Sequence, residues 1–181
     1  TLMAIAMFVI FTILMFLFKS YMQTFMIMGL IPLGIIGAVL GHLVMGIPVS
    51  ILSFLGIVAL AGIIVNDSVV FIHKYNNLIQ DGLNVPEALL EAGTSRFRPI
   101  LLTTITTVAG LAPIILLRSE QGQFLVPMAV SVAAGLVFGT FITLLLLPSA
   151  LYVSSDLKML IKKNKNRREL EPAYHQLSDS Y

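Results

Sequence analysis

An aspartate stands inside an apolar run: Asp67 lies in Ile63-Ile64-Val65-Asn66-Asp67-Ser68-Val69-Val70-Phe71-Ile72. A charge at the centre of a bilayer costs about 2.5–3.5 kcal/mol by insertion scales, so an ionisable group there is a functional candidate by default. Loss of water disfavours the charged form of a carboxyl group. An ionised carboxylate needs a partner, and a neutral one does not. Gain or loss of one proton therefore changes which helix packing is preferred, which is the minimum for a proton-driven switch. The competing role for Asn66-Asp67-Ser68 is glue between helices, worth about 0.6 kcal/mol per hydrogen bond.

The residues that could serve Asp67 follow from helical spacing. Gly56, Ala59, Gly62 and Asn66 share one face, with Asp67 at its edge. Such a small, polar face admits a close neighbour. Further on, Thr103, Thr106, Thr107 and Gly110 share a face. Asp67 comes six residues before His73, and Thr104 six after Arg98. At 1.5 Å per residue, both then lie about 9 Å from the same membrane edge. Thr103 and Thr104 are expected to offer hydroxyls to the carboxyl group, and Arg98 to pair with it by reaching along the helix. The expected proton relay is thus Asp67, Asn66, Arg98, Thr103 and Thr104. His42 could be a second titrating group or a satisfied polar residue near the outer interface. Gly37 with Gly41, and Gly135 with Gly139, repeat small residues four apart, a mark of helix contact; Gly62 is grouped with them as a packing glycine.

These residues sit in a chain of 181 residues that is 57% hydrophobic and 11% charged, with a mean hydropathy of +0.96. Soluble domains carry about 25% charged residues, so the class is integral membrane. Backbone groups in lipid must pair locally, which makes the expected fold an all-α bundle. Spans of about 20 apolar residues are expected over residues 2–18, 24–45, 50–72, 99–117 and 124–153. With no cysteine, disulfides and thiolate metal sites are excluded. No cofactor or metal site is expected, and neither a phosphate-binding glycine loop nor a hydrolytic triad is present. The basic residues sit where topology requires them, so nucleic acid is not an expected partner.

Lys and Arg set the orientation. Lys19, Lys74, Arg96, Arg98 and the tail residues Lys158, Lys162, Lys163, Lys165, Arg167 and Arg168 fall on one side; only Arg118 falls on the other. The positive-inside rule makes the rich side cytoplasmic, with Thr1 outside and the C-terminus inside. Thr1 leads straight into an apolar run, and the chain is expected to be a piece of a longer polypeptide. In the cytoplasmic loop 73–98, Asn84 before Pro86 and Glu87 is a helix start signal, and a short amphipathic surface helix is expected there. The basic tail 154–181 is expected to prolong the last helix briefly, then to lose order.

Three motifs occur in order: Ile31-Pro32-Leu33-Gly34-Ile35-Ile36-Gly37-Ala38, Gly62-Ile63-Ile64-Val65-Asn66-Asp67-Ser68, and Arg96-Phe97-Arg98-Pro99-Ile100-Leu101-Leu102-Thr103-Thr104. Together they resemble the C-terminal transmembrane part, spans eight to twelve, of resistance–nodulation–division (RND) efflux permeases. The resemblance implies a twelve-span bundle of two pseudo-symmetric halves, a homotrimer in the bacterial inner membrane, and a periplasmic adaptor and outer-membrane channel as partners. It implies export of small amphiphilic compounds in exchange for protons, the proton being the coupling ion. In the best-known drug pumps a lysine matches Asn66; the Asn-Asp pair here makes Asp67 the candidate, with partner acids in the N-terminal half. The alternatives are a structural or regulatory membrane subunit without transport of its own, and part of a secretion-assisting RND-related permease.

Overall fold

Five helices follow one another: α1 (Leu2–Phe18), α2 (Tyr21–Met45), α3 (Ile51–Gln80), α4 (Val85–Ile115) and α5 (Val126–Ser178). The computed structural model describes the backbone of residues 2–116 and 123–178, and the side chains of residue 5 and of residues 7–116 and 123–157. Arg118 and the tail cations from Lys158 on lie outside the described side chains. Helices α2, α3 and α4, and α5 over Val126–Leu157, are long and apolar enough to cross a membrane. Helix α1 has only 17 residues.

Local chemistry explains the boundaries. Gly46 closes α2 at φ 64°, a left-handed conformation that costs glycine nothing. The Ile47 N–H then donates back to the His42 carbonyl at 3.1 Å. Ser50 caps α3 through a reciprocal box with Ser53. Asn84 caps α4 by accepting from the Glu87 N–H at 3.0 Å. The surface helix expected to start at Asn84 does so, but it does not stop. It runs without a break through Pro99 into the fourth span. Pro99 therefore lies inside a helix, not in a first turn. Likewise α3 continues to Gln80, past the expected end of its span at 72, and α5 stays helical to Ser178, past 153. Lys, Arg, Glu and Leu dominate that stretch and all favour helix.

Helix α5 is the hub, packed on α2, α3 and α4, whereas α1 leans mainly on α2. The seam between α2 and α5 is made of small residues. A Cβ added at Gly37 would strike Phe138, and one at Gly41 would strike Ala134. One added at Gly135 would strike Leu60 and lie 3.2 Å from the Gly34 carbonyl; at Gly139 it would lie 3.0 Å from Ile64 Cδ1. Leu60 and Ile64 of α3 are thus keyed into the gap between the two glycine rows, and both are buried. With no hydrophobic drive between helices in lipid, this close approach is what holds the bundle. Gly62 takes no part: it is exposed, and a Cβ there meets nothing within 4 Å. It lies on the side of α3 that this chain leaves uncovered.

Candidate proton-handling site

Burial along α3 has a clean helical period. Gly56, Leu60, Ile64, Ser68 and Phe71 are buried, while Ala59, Gly62 and Asn66 are exposed. Asp67 stands on the border between the two sides, half-buried. No hydrogen-bond donor or charged group among the described residues reaches its carboxylate. Ser68 turns inward, and its hydroxyl donates to the Ile64 carbonyl at 2.7 Å. Helix α4 shows a parallel arrangement: Thr103, Thr106 and Gly110 are exposed and Thr107 half-buried. Only 11% of the apolar window of α4 is buried, against 56% for α5. So α3 and α4 both present small and polar residues on sides that this chain does not fill.

Asp67 and Thr104 come within one helical turn of each other along the bundle axis, but the expected contacts do not form. Thr104 Oγ1 lies 2.8 Å from Thr140 Oγ1 of α5, and Ile64 of α3 lies against neighbouring Gly139. Thr104 and Ile64 are therefore level, and Asp67 is about 4.5 Å further toward the Arg98 end of the bundle, less than one turn. Yet Thr104 spends its hydroxyl on Thr140 and on the Ile100 carbonyl at 2.9 Å. Thr103 donates to its own helix, to Ile100 O at 2.9 Å. Arg98 is exposed and sits about 120° round α4 from the buried Ala92. Neither Thr103, Thr104 nor Arg98 meets Asp67. The reason is that depth follows from counting residues, whereas the direction of a side chain depends on which helix is the neighbour. For α4 that neighbour is largely α5.

A second polar centre lies where the end of α2 meets the start of α3. His42 is buried, with Nδ1 2.9 Å from the Ala38 carbonyl and Nε2 2.8 Å from Ser53 Oγ. A carbonyl only accepts, so in the neutral ring Nδ1 carries the hydrogen and Nε2 accepts from the Ser53 hydroxyl. Ser53 Oγ in turn accepts from the Ser50 N–H at 3.0 Å. His42 is thus a satisfied polar residue, buried between α2 and α3. Replacing Ser53 by Ala leaves Nε2 buried without a donor. Such a loss costs about 1–3 kcal/mol. Ser53→Ala is expected to lower the thermal midpoint of the detergent-solubilised complete protein, and an unchanged midpoint would refute the assignment.

Sequence reasoning missed Thr140, Ser53 and the pair Gln23–Asn76, whose side-chain amides exchange hydrogen bonds of 2.8 and 3.2 Å between α2 and α3. The available signal was that each is a polar residue in or beside an apolar run. Among the described residues no group of three or more His, Asp or Glu is placed to hold a metal ion.

Comparison with known proteins extends this geometry. Residues 1–155 match the model of the AcrB/AcrD/AcrF family. The chain is 35% identical over 148 residues to the swarming motility protein SwrC of Bacillus subtilis, covering 81% of this chain and 14% of that one. It is 29% identical over 140 residues to the multidrug resistance protein MdtC of Erwinia amylovora, covering 77% and 14%. It is 32% identical over 119 residues to the nickel and cobalt resistance protein CnrA of Cupriavidus metallidurans, covering 66% and 11%. A crystal structure of a heavy metal efflux pump superposes with a TM-score of 0.73 at 29% identity, covering 83% of this chain and 14% of the pump. The chain thus spans about a seventh of the length of the first relatives it matches.

Proposed function

Because the chain belongs to the AcrB/AcrD/AcrF family of RND permeases, we propose that it forms part of a proton-driven exporter of small amphiphilic compounds, with Asp67 as the group that takes up and yields the proton. One observation carries this reading: Asp67 is half-buried beside exposed Asn66, on a side of α3 that the chain leaves open. In lipid, an acid and an amide so placed would be left without water or partner. A further protein surface must cover them. The open sides of α3 and α4 are therefore where other spans of the same permease dock, bringing acids that share the proton with Asp67. Asp67 and Asn66 remain the proposed relay, and Arg98, Thr103 and Thr104, none of which meets Asp67 in this chain, are given no step in it.

The remaining features follow from the family and from charge. The permease works as a homotrimer with a periplasmic adaptor and an outer-membrane channel. It sits in the bacterial inner membrane, with the Lys- and Arg-rich ends in the cytoplasm. Relatives named for multidrug resistance favour amphiphilic cargo.

The test is the complete permease in proteoliposomes under an imposed pH gradient. Substrate should leave against its own gradient and protons should enter in step, read by a trapped pH-sensitive dye. An ionophore that collapses the gradient should stop both. Export that continues after the collapse would refute proton coupling.

A further inference from the structure

A groove of about 450 Å³ runs along α1 to its junction with α2. Phe8, Phe11, Met15 and Phe16 line its length, and Lys19 and Tyr21 line the end at the junction. Thr12 lines it too, but its hydroxyl is spent on the Phe8 carbonyl at 2.8 Å. The polar end of the groove is thus Lys19 and Tyr21. Phe11 stands edge-on to Phe25 of α2, with ring centroids 5.6 Å apart, which braces one wall. Phe8 and Phe16 are 71% and 80% exposed. From Phe8 to Lys19 a helix rises about 16 Å, and half of a hydrocarbon core of about 30 Å is about 15 Å. The groove is therefore as deep as one leaflet. Its cation stands at headgroup level, where an amphipathic tyrosine is also at home.

The turn alone does not account for a lysine at this place. Lys19 has φ 50°, a left-handed conformation that residues with a Cβ seldom adopt and that glycine adopts freely. Strained residues of this kind persist where the surroundings use them. No counter-charge is built in: neither α1 nor α2 contains an acid, and the first acid in the sequence is Asp67. Next to Lys19, α2 starts at Ser20 without a side-chain cap, so its first N–H groups are further donors at the same end. An apolar slot one leaflet deep, closed by a cation with no acid beside it, complements an anionic amphiphile. We propose that this groove holds one anionic phospholipid, of the phosphatidylglycerol type. Its acyl chain lies along Phe8, Met15 and Phe16, and its phosphate sits at Lys19 and the Tyr21 hydroxyl. The ammonium group of a zwitterionic headgroup would find no acid on α1 or α2 and would compete with Lys19 for the phosphate.

This inference rests on the membrane reading of the bundle and not on proton transfer or on Asp67. The test is native mass spectrometry of the complete permease released from nanodiscs of phosphatidylglycerol and phosphatidylethanolamine in equal parts. Retention of about one phosphatidylglycerol per protomer is expected, with phosphatidylethanolamine held about fivefold less, the discrimination of one charge near a membrane surface. Lys19→Gln should lower phosphatidylglycerol retention about fivefold, and Lys19→Arg should keep it. Lys19→Gly removes the strain together with the charge, so it should lose the lipid as Lys19→Gln does. Thr12→Phe leaves the charge in place but fills the slot, and should empty it of lipid. Unchanged retention in Lys19→Gln and Lys19→Gly would overturn the phosphate site and leave Lys19 a turn residue. Unchanged retention in Thr12→Phe would overturn the groove. Equal retention of the two lipids by the wild type would overturn the anionic assignment. A cysteine at position 16 that cross-links to another span of the permease would overturn the proposal as well, because protein would then fill the slot.

Discussion

Asp67→Asn in the complete permease is expected to reduce export by at least two orders of magnitude while expression, membrane insertion and oligomer assembly stay at wild-type levels. The size of the effect follows from chemistry. Asparagine keeps the shape of the side chain and much of its hydrogen bonding, but it has no proton to exchange in this pH range. If one site couples each cycle to proton entry, its removal leaves nothing to move the equilibrium between packings. Survival of the fold follows from shape: asparagine nearly matches aspartate in size, and Asp67 makes no hydrogen bond or ion pair with described residues, so no contact within this bundle is lost. The measurement is drug efflux from energised cells, paired with gel filtration of the purified protein. Wild-type efflux in the variant would remove Asp67 from the mechanism. Lost efflux with a dissociated oligomer would mean that the residue is glue.

Much of this architecture can be read from residue order, and the parts that cannot share a cause. Apolar runs locate the helices, and Asn84, Ser50 and Gly46 mark ends where capping chemistry acts. Depth is also legible, because a helix rises by a fixed amount per residue: Thr104 and Asp67 come out within a turn of each other. Azimuth is not legible. In a soluble helix the apolar stripe says which side is inside. A membrane helix is apolar on both sides, and small or polar residues mark a contact without naming the partner. Gly56 and Gly62 look alike on paper, yet one is buried against α5 and the other faces out. Thr104 likewise points to Thr140, whose polar side chain in a long apolar helix marks a contact without naming its partner. The fusion of the surface helix with the fourth span had a different cause. Pro99 reads as a first-turn residue, but a proline within a helix is tolerated where neighbouring groups satisfy the freed backbone.

That difference in azimuth sets up the second large effect, on stability. Gly56→Val is expected to destabilise the bundle by about 1–3 kcal/mol or more, the range for overpacking a well-filled core. A Cβ at position 56 would lie 2.6 Å from the Met128 carbonyl oxygen and 2.9 Å from Ser131 Cβ. The first of these is backbone, which cannot rotate away, so α3 and α5 would have to separate. The same separation would pull Leu60 and Ile64 out from between the glycine rows of α2 and α5, losing dispersion contacts along the whole seam. Gly62→Val, six residues along the same helix, supplies the control. Its Cβ meets nothing within 4 Å, and leaving glycine behind favours the helix by a few tenths of a kcal/mol. A general intolerance of α3 to valine would lower both thermal midpoints in the detergent-solubilised complete protein. A close approach specific to Gly56 makes its midpoint fall well below that of Gly62→Val, whose Cβ meets nothing within this chain. Equal midpoints for Gly56→Val and the wild type would show that α3 and α5 are not in contact there.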